Sequence, residues 1–188
     1  MRHLFVLCGL PRAGKTMLMK AAVLELAPHL KIAKSATTRA PREPDDALAY
    51  DFISVERFEL KRQRGDFIEA VRHGNNFYGY DRGTVNVAMH HKHGICIATE
   101  HGILELKKAG YLVRPVKVTS FGEEAKAMRD AFYQEHPERV KDDYERSRMR
   151  IDYDLEILNS FEPGGKEKAI KLLVDYIANV TKCRSSVL

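Results

Sequence analysis

The stretch Gly9-Leu10-Pro11-Arg12-Ala13-Gly14-Lys15-Thr16 constrains this chain more than any other. It fits the pattern G-x-x-x-x-G-K-[ST] in full, a P-loop whose backbone N–H groups surround an anion. Its flanks agree. Leu4-Phe5-Val6-Leu7-Cys8 is a short apolar run that predicts a buried strand, and Lys15 to Ala27 places Met19, Ala22, Val23 and Leu26 at helical spacing. Strand, Gly-rich turn and helix together aim the positive end of a helix at whatever the loop holds. The pattern predicts a nucleotide cradle. Gly9, Arg12, Ala13, Gly14, Lys15 and Thr16 are its expected ATP-binding residues. Lys15, a charge on the solvent side, would reach the β- and γ-phosphates, and the Thr16 hydroxyl would coordinate Mg²⁺.

Length and composition narrow the setting. A chain of 188 residues has room for one α/β core and a small inserted lobe, and 44% hydrophobic with 30% charged residues is an ordinary globular balance. No run approaches a membrane span and no signal peptide is visible, so no membrane partner and a cytoplasmic location are expected. Cys8, Cys96 and Cys183 cannot all pair, which suits a reducing compartment, and Cys8 and Cys96 fall in predicted core strands. The net charge of +5 is spread along the chain without the spaced aromatics or paired metal ligands of a nucleic-acid binder. Small-molecule nucleotides, not nucleic acid, are the expected partners, with a monomer or homodimer as the assembly. His90, His91 and His93 invite a metal reading, but they also lie at a predicted helix end before Gly94, where histidine is favoured by the helix dipole.

Taken in order, the periodicities predict a strand over 31–35, a polar loop through Asp46, and a strand at Tyr50-Asp51-Phe52-Ile53. A helix over 55–64 stops at Gly65; strands over 67–71 and 77–80 flank the turn Gly74-Asn75-Asn76, and Gly83 opens a helix. A buried strand at Ile95-Cys96-Ile97-Ala98 follows, then a helix from Gly102, a strand within 111–119, helices over 123–135 and from Pro137, a strand over 153–158 and a closing helix over 166–180. This order predicts an α/β doubly wound parallel sheet of the P-loop NTPase kind, flanked by helices and interrupted by a small α+β insertion.

Between residues 35 and 79 the sequence resembles guanylate kinase. Ser35, Thr38, Arg39, Pro41 and Arg42 form a Ser-x-x-Thr-Arg-x-Pro-Arg segment; Tyr50 and Phe52 a Tyr-x-Phe; Gly65, Phe67 and Glu69 a Gly-x-Phe-x-Glu; Tyr78 and Gly79 a Tyr-Gly. With the P-loop these cover most of the first hundred residues in family order, and a fainter likeness returns at Asp152-Tyr153 and Asn159. The resemblance implies transfer of the ATP γ-phosphate to GMP or dGMP. It also implies a core over 1–35 and 89–188, a monophosphate-binding lobe over 36–88, and a helical lid at about 136–150. Ser35, Arg39, Arg42, Tyr50, Glu69, Tyr78 and Thr99 are then the GMP-binding set. One ionised carboxylate at Glu69 can accept both N1–H and N2–H of guanine, the Ser35 hydroxyl can donate to O6, and Arg39 and Arg42 offer fork geometry to a phosphate, with the tyrosine hydroxyls as neutral donors.

Two departures from the family stand out. Its Leu-Asp-Ile-Asp-like run is here Cys96-Ile97-Ala98-Thr99, so Ile97 and Thr99 replace aspartates and weaker guanine discrimination is expected. Glu100 follows directly, either as a partial substitute or as an acid favoured at a helix N-terminus. The family's Arg-Gly lid turn is missing. In its place, at 100° per residue, Arg139, Arg146 and Arg150 share one stripe beside Val140, Tyr144 and Ile151, with Asp142 and Asp143 close enough to pair with them. The stripe reads either as a lid closing on ATP phosphates, with Lys15, Arg139 and Arg146 the catalytic set, or as a plain amphipathic surface helix. A non-catalytic docking module and a same-fold kinase with another phosphorylated acceptor remain as alternatives, disfavoured by Lys15 with Thr16 and by Glu69 with Ser35.

Overall fold

Strand β1 (Leu4–Cys8) is fully buried and forms the centre of a parallel sheet. The computed structural model describes residues 1–42 and 44–182, so Cys183 lies outside the described residues. The sheet has five strands in the order β2 (Leu30–Ile32), β7 (His93–Ile97), β1, β8 (Val113–Phe121) and β9 (Leu155–Ser160), every pair parallel. Val6 stands opposite Cys96 on one side and Pro115 on the other. The strand order therefore reverses at β1, which opens a crevice beyond its C-terminal end. The P-loop emerges there.

Alternation along β1 divides the core. Phe5 and Leu7 face α1 (Lys15–Glu25) and α7 (Gly165–Thr181), packing with Leu18, Met19, Ala22, Leu173 and Ile177. Leu4, Val6 and Cys8 face α3 (Arg82–Met89) and α4 (Glu100–Lys108), packing with Val85, Ala88, Ile103 and Leu106. A central strand clad by helices on both faces must be apolar throughout, and LFVLC is. Cys8 and Cys96 are free and buried within the second cluster.

A second sheet of four strands runs in the order β4 (Tyr50–Phe52), β3 (Ser35–Thr37), β6 (Asn76–Asp81) and β5 (Phe67–His73). Helix α2 (Val55–Gln63) holds this sheet through Phe58, which is fully buried and stacks on Phe67 and Phe77 at ring-centroid distances of 4.4 and 5.3 Å. Burying such a ring contributes roughly 1.5–3 kcal/mol. The single strand expected over 31–35 is in fact split. Leu30–Ile32 joins the large sheet, Ala33 donates its N–H to Ile95 at 2.9 Å, and Ser35 opens β3 in the small one. The polar loop through Asp46 contains a 3-10 turn at Pro44–Leu48, with acids in its first turn. His90 closes α3, whereas His93 belongs to β7, stacked on His3 and accepting the His3 N–H at Nδ1.

Helices α5 (Glu123–Glu135) and α6 (Glu138–Ser147) form an arm beside the crevice. The expected stripe of three arginines is shortened, because α6 ends at Ser147 and leaves Arg150 beyond it. Nor is there an apolar seam: Val140 and Tyr144 are exposed, and the residue that α6 buries is Asp143. Among the described residues no helix is long and apolar enough to cross a membrane.

Candidate nucleotide site

The crevice continues into a cleft of about 1380 Å³ lined by the P-loop, the small sheet and α6. Gly9, Arg12, Gly14, Lys15 and Thr16 line one end. Ala13 lies beneath them, buried, with its carbonyl accepting the Asn159 Nδ2–H at 3.0 Å. Gly14 has φ +88°, and a Cβ there would meet Asn159 Nδ2 at 2.3 Å, so the loop needs glycine both for conformation and for space. Lys15 is not the solvent-side charge expected from sequence. It is half-buried, and its ammonium donates to the Gly9 and Leu10 carbonyls at 2.8 and 2.7 Å. Loss of hydration at that enclosed end lowers its pKa to about 8, with the Arg139 charge adding to the effect. The Cys8 thiol behind the loop is pushed up to about 12, first by burial and then by the Glu100 carboxylate.

The middle of the cleft is built by the small sheet. Glu69, Val71 and His73 share one face of β5, as alternation requires, and all three line the cleft. Glu69 is buried, and burial raises its pKa while a Thr99 hydroxyl donating to Oε1 at 2.8 Å opposes the rise. Thr99 is also the N-cap of α4, accepting the Gly102 N–H at 3.1 Å. A Cβ at residue 102 would lie 2.3 Å from Glu69 Oε2, so glycine there is what lets the carboxylate sit against the first turn of α4. Ser35 lines the cleft with its hydroxyl donating to the Ala36 and Gly79 carbonyls at 3.2 and 3.3 Å, long bonds that a stronger acceptor can displace.

Arg39 is buried, contrary to what an isolated surface arginine would show. Its guanidinium donates to Asp46 Oδ2 at 3.0 Å and to the Ala40 carbonyl at 2.9 Å, over the Tyr50 ring. Asp46 also accepts the Arg42 backbone N–H at 2.9 Å, which fixes the loop carrying both arginines. Arg42, Tyr50 and Tyr78 line the same part of the cleft, and burial raises the Tyr50 pKa. Sequence reasoning missed Asp46 because a Pro-Asp-Asp stretch reads as solvated loop; its position four residues after the Arg-Ala-Pro-Arg turn was the available signal.

Arg139 and Arg146 face the cleft from α6, close to both the P-loop and the small sheet, and converge on Asp143, which also accepts the Tyr133 hydroxyl at 3.2 Å. Arg139 lies over the Phe132 ring, as Arg12 does from the P-loop side. His73 approaches these arginines from β5, next to Tyr78, with Nδ1 buried and unpartnered; burial and the two arginines push its pKa down to about 4. Asn159 and His73 were not among the expected site residues. Glu100 occupies the first turn of α4, as an acid favoured at a helix N-terminus does, and it also lines the cleft.

A glycine-rich loop at the C-terminal end of the central parallel strand, running straight into a helix, defines a P-loop α/β protein. The family model for guanylate kinase matches residues 1–161, and the chain belongs to that family. It is 36% identical over 88 residues to a guanylate kinase of Methylobacillus flagellatus, covering 46% of this chain and 43% of that one. It is 43% identical over 75 residues to a guanylate kinase of Paramagnetospirillum magneticum, covering 39% and 35%. The matched stretch thus spans less than half the length of these curated relatives. The crystal structure of guanylate kinase from Anaplasma phagocytophilum superposes with a TM-score of 0.60 at 18% identity, covering 98% of this chain and 89% of that one, which shows the shared fold.

Proposed function

We propose that the chain transfers the γ-phosphate of ATP to GMP or dGMP. One observation carries this: a single cleft holds a P-loop with Lys15 and Thr16 at one end and a buried carboxylate, Glu69, beside Ser35, Arg39 and Arg42 in its middle. The first is built for a polyphosphate and the second for a 6-oxopurine monophosphate. Curated relatives named guanylate kinase agree with the reading. The monophosphate-binding lobe corresponds to the small sheet and the lid to α6, with the core made by the large sheet.

In this reading Lys15 leaves the Gly9 and Leu10 carbonyls for the phosphates, and Arg139 and Arg146 neutralise charge that develops on the transferring group. The attacking group is an acceptor phosphate oxygen already ionised near neutral pH, so the chain needs no general base. Among the described residues no three His, Cys, Asp or Glu side chains gather as a metal cluster. A Mg²⁺ ion needs no such cluster, since it keeps most of its waters; the Thr16 hydroxyl in the cleft would hold it beside Lys15, where it would supply further charge neutralisation. A cytoplasmic monomer or homodimer is the accompanying expectation.

A coupled assay of ADP release over a panel of nucleoside monophosphates tests the proposal. Turnover with GMP and dGMP is expected, together with its loss in Lys15→Ala. Absence of transfer to GMP overturns it.

A further inference from the structure

We infer that the Thr99 hydroxyl sets the base specificity of the acceptor site, admitting 6-oxopurine monophosphates with or without a 2-amino group. The inference rests on the phosphotransferase reading above and goes on to name the acceptor range. A guanine edge offers two adjacent donors, N1–H and N2–H, whereas hypoxanthine offers N1–H alone. How strongly a site prefers guanine depends on what happens to the second carboxylate oxygen when N2–H is missing.

In this chain that oxygen is already satisfied. Thr99 donates its only hydroxyl proton to Glu69 Oε1 at 2.8 Å, while the same hydroxyl accepts the Gly102 N–H. Glu69 Oε2 has no protein donor among the described residues, and the lack of a side chain at Gly102 leaves room for it. Thr99, Glu69 and Ser35 all line the same cleft.

The energetic consequence follows directly. A site that leaves a buried polar group bare rejects an analogue by about 10⁴–10⁵-fold, because the orphaned group bears the full desolvation penalty. With an inosine monophosphate bound, Oε2 takes N1–H and Oε1 keeps Thr99, so no acceptor is orphaned. The loss is then one hydrogen bond to a carboxylate, about ten- to a hundredfold. Thr99 itself cannot reward the 2-amino group with charge, and its donor is engaged whether or not that group is present. It acts as a positioning residue through Glu69.

The test compares GMP with IMP, by kcat/KM with ATP and by calorimetric binding of each monophosphate without ATP, in wild type, Thr99→Val and Thr99→Ser. Wild type should favour GMP by no more than about a hundredfold in both measurements. Thr99→Val removes the donor, so IMP now leaves Oε1 bare while GMP covers it with N2–H; the GMP:IMP ratio should widen at least tenfold through loss on IMP. Thr99→Ser should restore the wild-type ratio. Loss of the α4 cap in Thr99→Val affects both ligands alike and cancels in the ratio. A wild-type preference beyond about a hundredfold overturns the inference, as does a Thr99→Val ratio that stays put, or failure of both monophosphates to bind. If GMP is phosphorylated but IMP strongly rejected, this inference alone falls. If neither is phosphorylated yet both bind alike, the kinase reading falls and the inference about base recognition stands.

Discussion

Arg139 donates from Nη2 to Asp143 Oδ1 at 3.1 Å, one helical turn along α6, and Arg146 reaches the same oxygen from the other side. Asp143 is 4% exposed, its partners 21% and 19%. One buried anion therefore carries two cleft-facing cations, in the place where the proposed mechanism puts triphosphate oxygens.

Asp143→Asn should destabilise the protein by about 1–2 kcal/mol, less than for a fully buried pair because both guanidinium groups keep some hydration. ATP should restore more stability to the variant than to wild type, since phosphate oxygens then replace the missing carboxylate. Urea unfolding with and without saturating ATP checks this. Equal stabilisation of both proteins by ATP would show that the two arginines do not meet the nucleotide.

This acid marks where the sequence was legible and where it was not. The P-loop could be read because its chemistry is contiguous: eight residues, one strand before and one helix after. Glu69 and Tyr78 could be read because the motif segments around them are intact. On α6 the pattern of apolar residues pointed the wrong way. Val140 and Tyr144 suggested a buried seam, yet they are exposed and the charged Asp143 is inside. Periodicity reports which residues share a face, but only the packing of α6 against α5 and α4 decides which face turns inward. Similarly, the alternating run over 31–35 gives no hint that the chain leaves one sheet at Ile32 and enters another at Ser35. Thr99 was visible as a hydroxyl without charge; that it caps α4 and holds Glu69 depends on a contact across thirty residues.

The depressed pKa of Lys15, about 8 against an ordinary 10.5, has two pH consequences of opposite sign. Without nucleotide, ionised Lys15 costs stability below pH 8. That cost fades as the pH rises from about 8 to 10.5, where the folded chain has lost the proton and the unfolded chain still holds it. With ATP, phosphates favour the ammonium, so binding takes up a proton above pH 8 and affinity falls with further rise in pH. Calorimetry at pH 8.5–9 in buffers of about 0 and about 11 kcal/mol ionisation enthalpy should show this uptake in wild type and none in Lys15→Met. Identical heats in the two buffers for wild type would place Lys15 away from the phosphates.

Asn159 anchors the loop from β9 by donating to Ala13 and occupying the space that a Cβ at residue 14 would need. Asn159→Ala should lose about 1–2 kcal/mol of stability for the broken buried hydrogen bond. It should raise KM for ATP and leave KM for GMP unchanged. Gly14→Ala should be more damaging, and adding Asn159→Ala to it should recover only the steric part, since φ +88° stays unfavourable for alanine. Strict additivity in this double-mutant cycle would mean that the two residues do not communicate.

In the proposed reaction, guanine recognition would separate from phosphate binding at Glu69. Glu69→Gln keeps the volume and leaves one carbonyl oxygen for the Thr99 hydroxyl, but turns the other oxygen into an N–H donor facing the N1–H of the base. Two donors then oppose each other in a buried site. The expected loss in kcat/KM for GMP is about 2–4 kcal/mol, with ATP binding untouched because Lys15 and Glu69 share no contact. The pH profile adds an independent reading. Burial raises the Glu69 pKa above its ordinary 4.5, so the carboxylate takes up its proton at a higher pH than a free glutamate. Ionised Glu69 thus costs folding stability that is recovered as the pH falls through this raised pKa, while GMP affinity is lost over the same fall. Wild type should show that acid limb in GMP binding, and Glu69→Gln should flatten it. Arg42→Ala should instead weaken GMP, IMP and AMP alike, since a phosphate contact carries no information about the base. A Glu69→Gln variant with wild-type GMP turnover and an unaltered acid limb would remove Glu69 from the base site and leave Arg39 and Arg42 to bind a different phosphorylated acceptor.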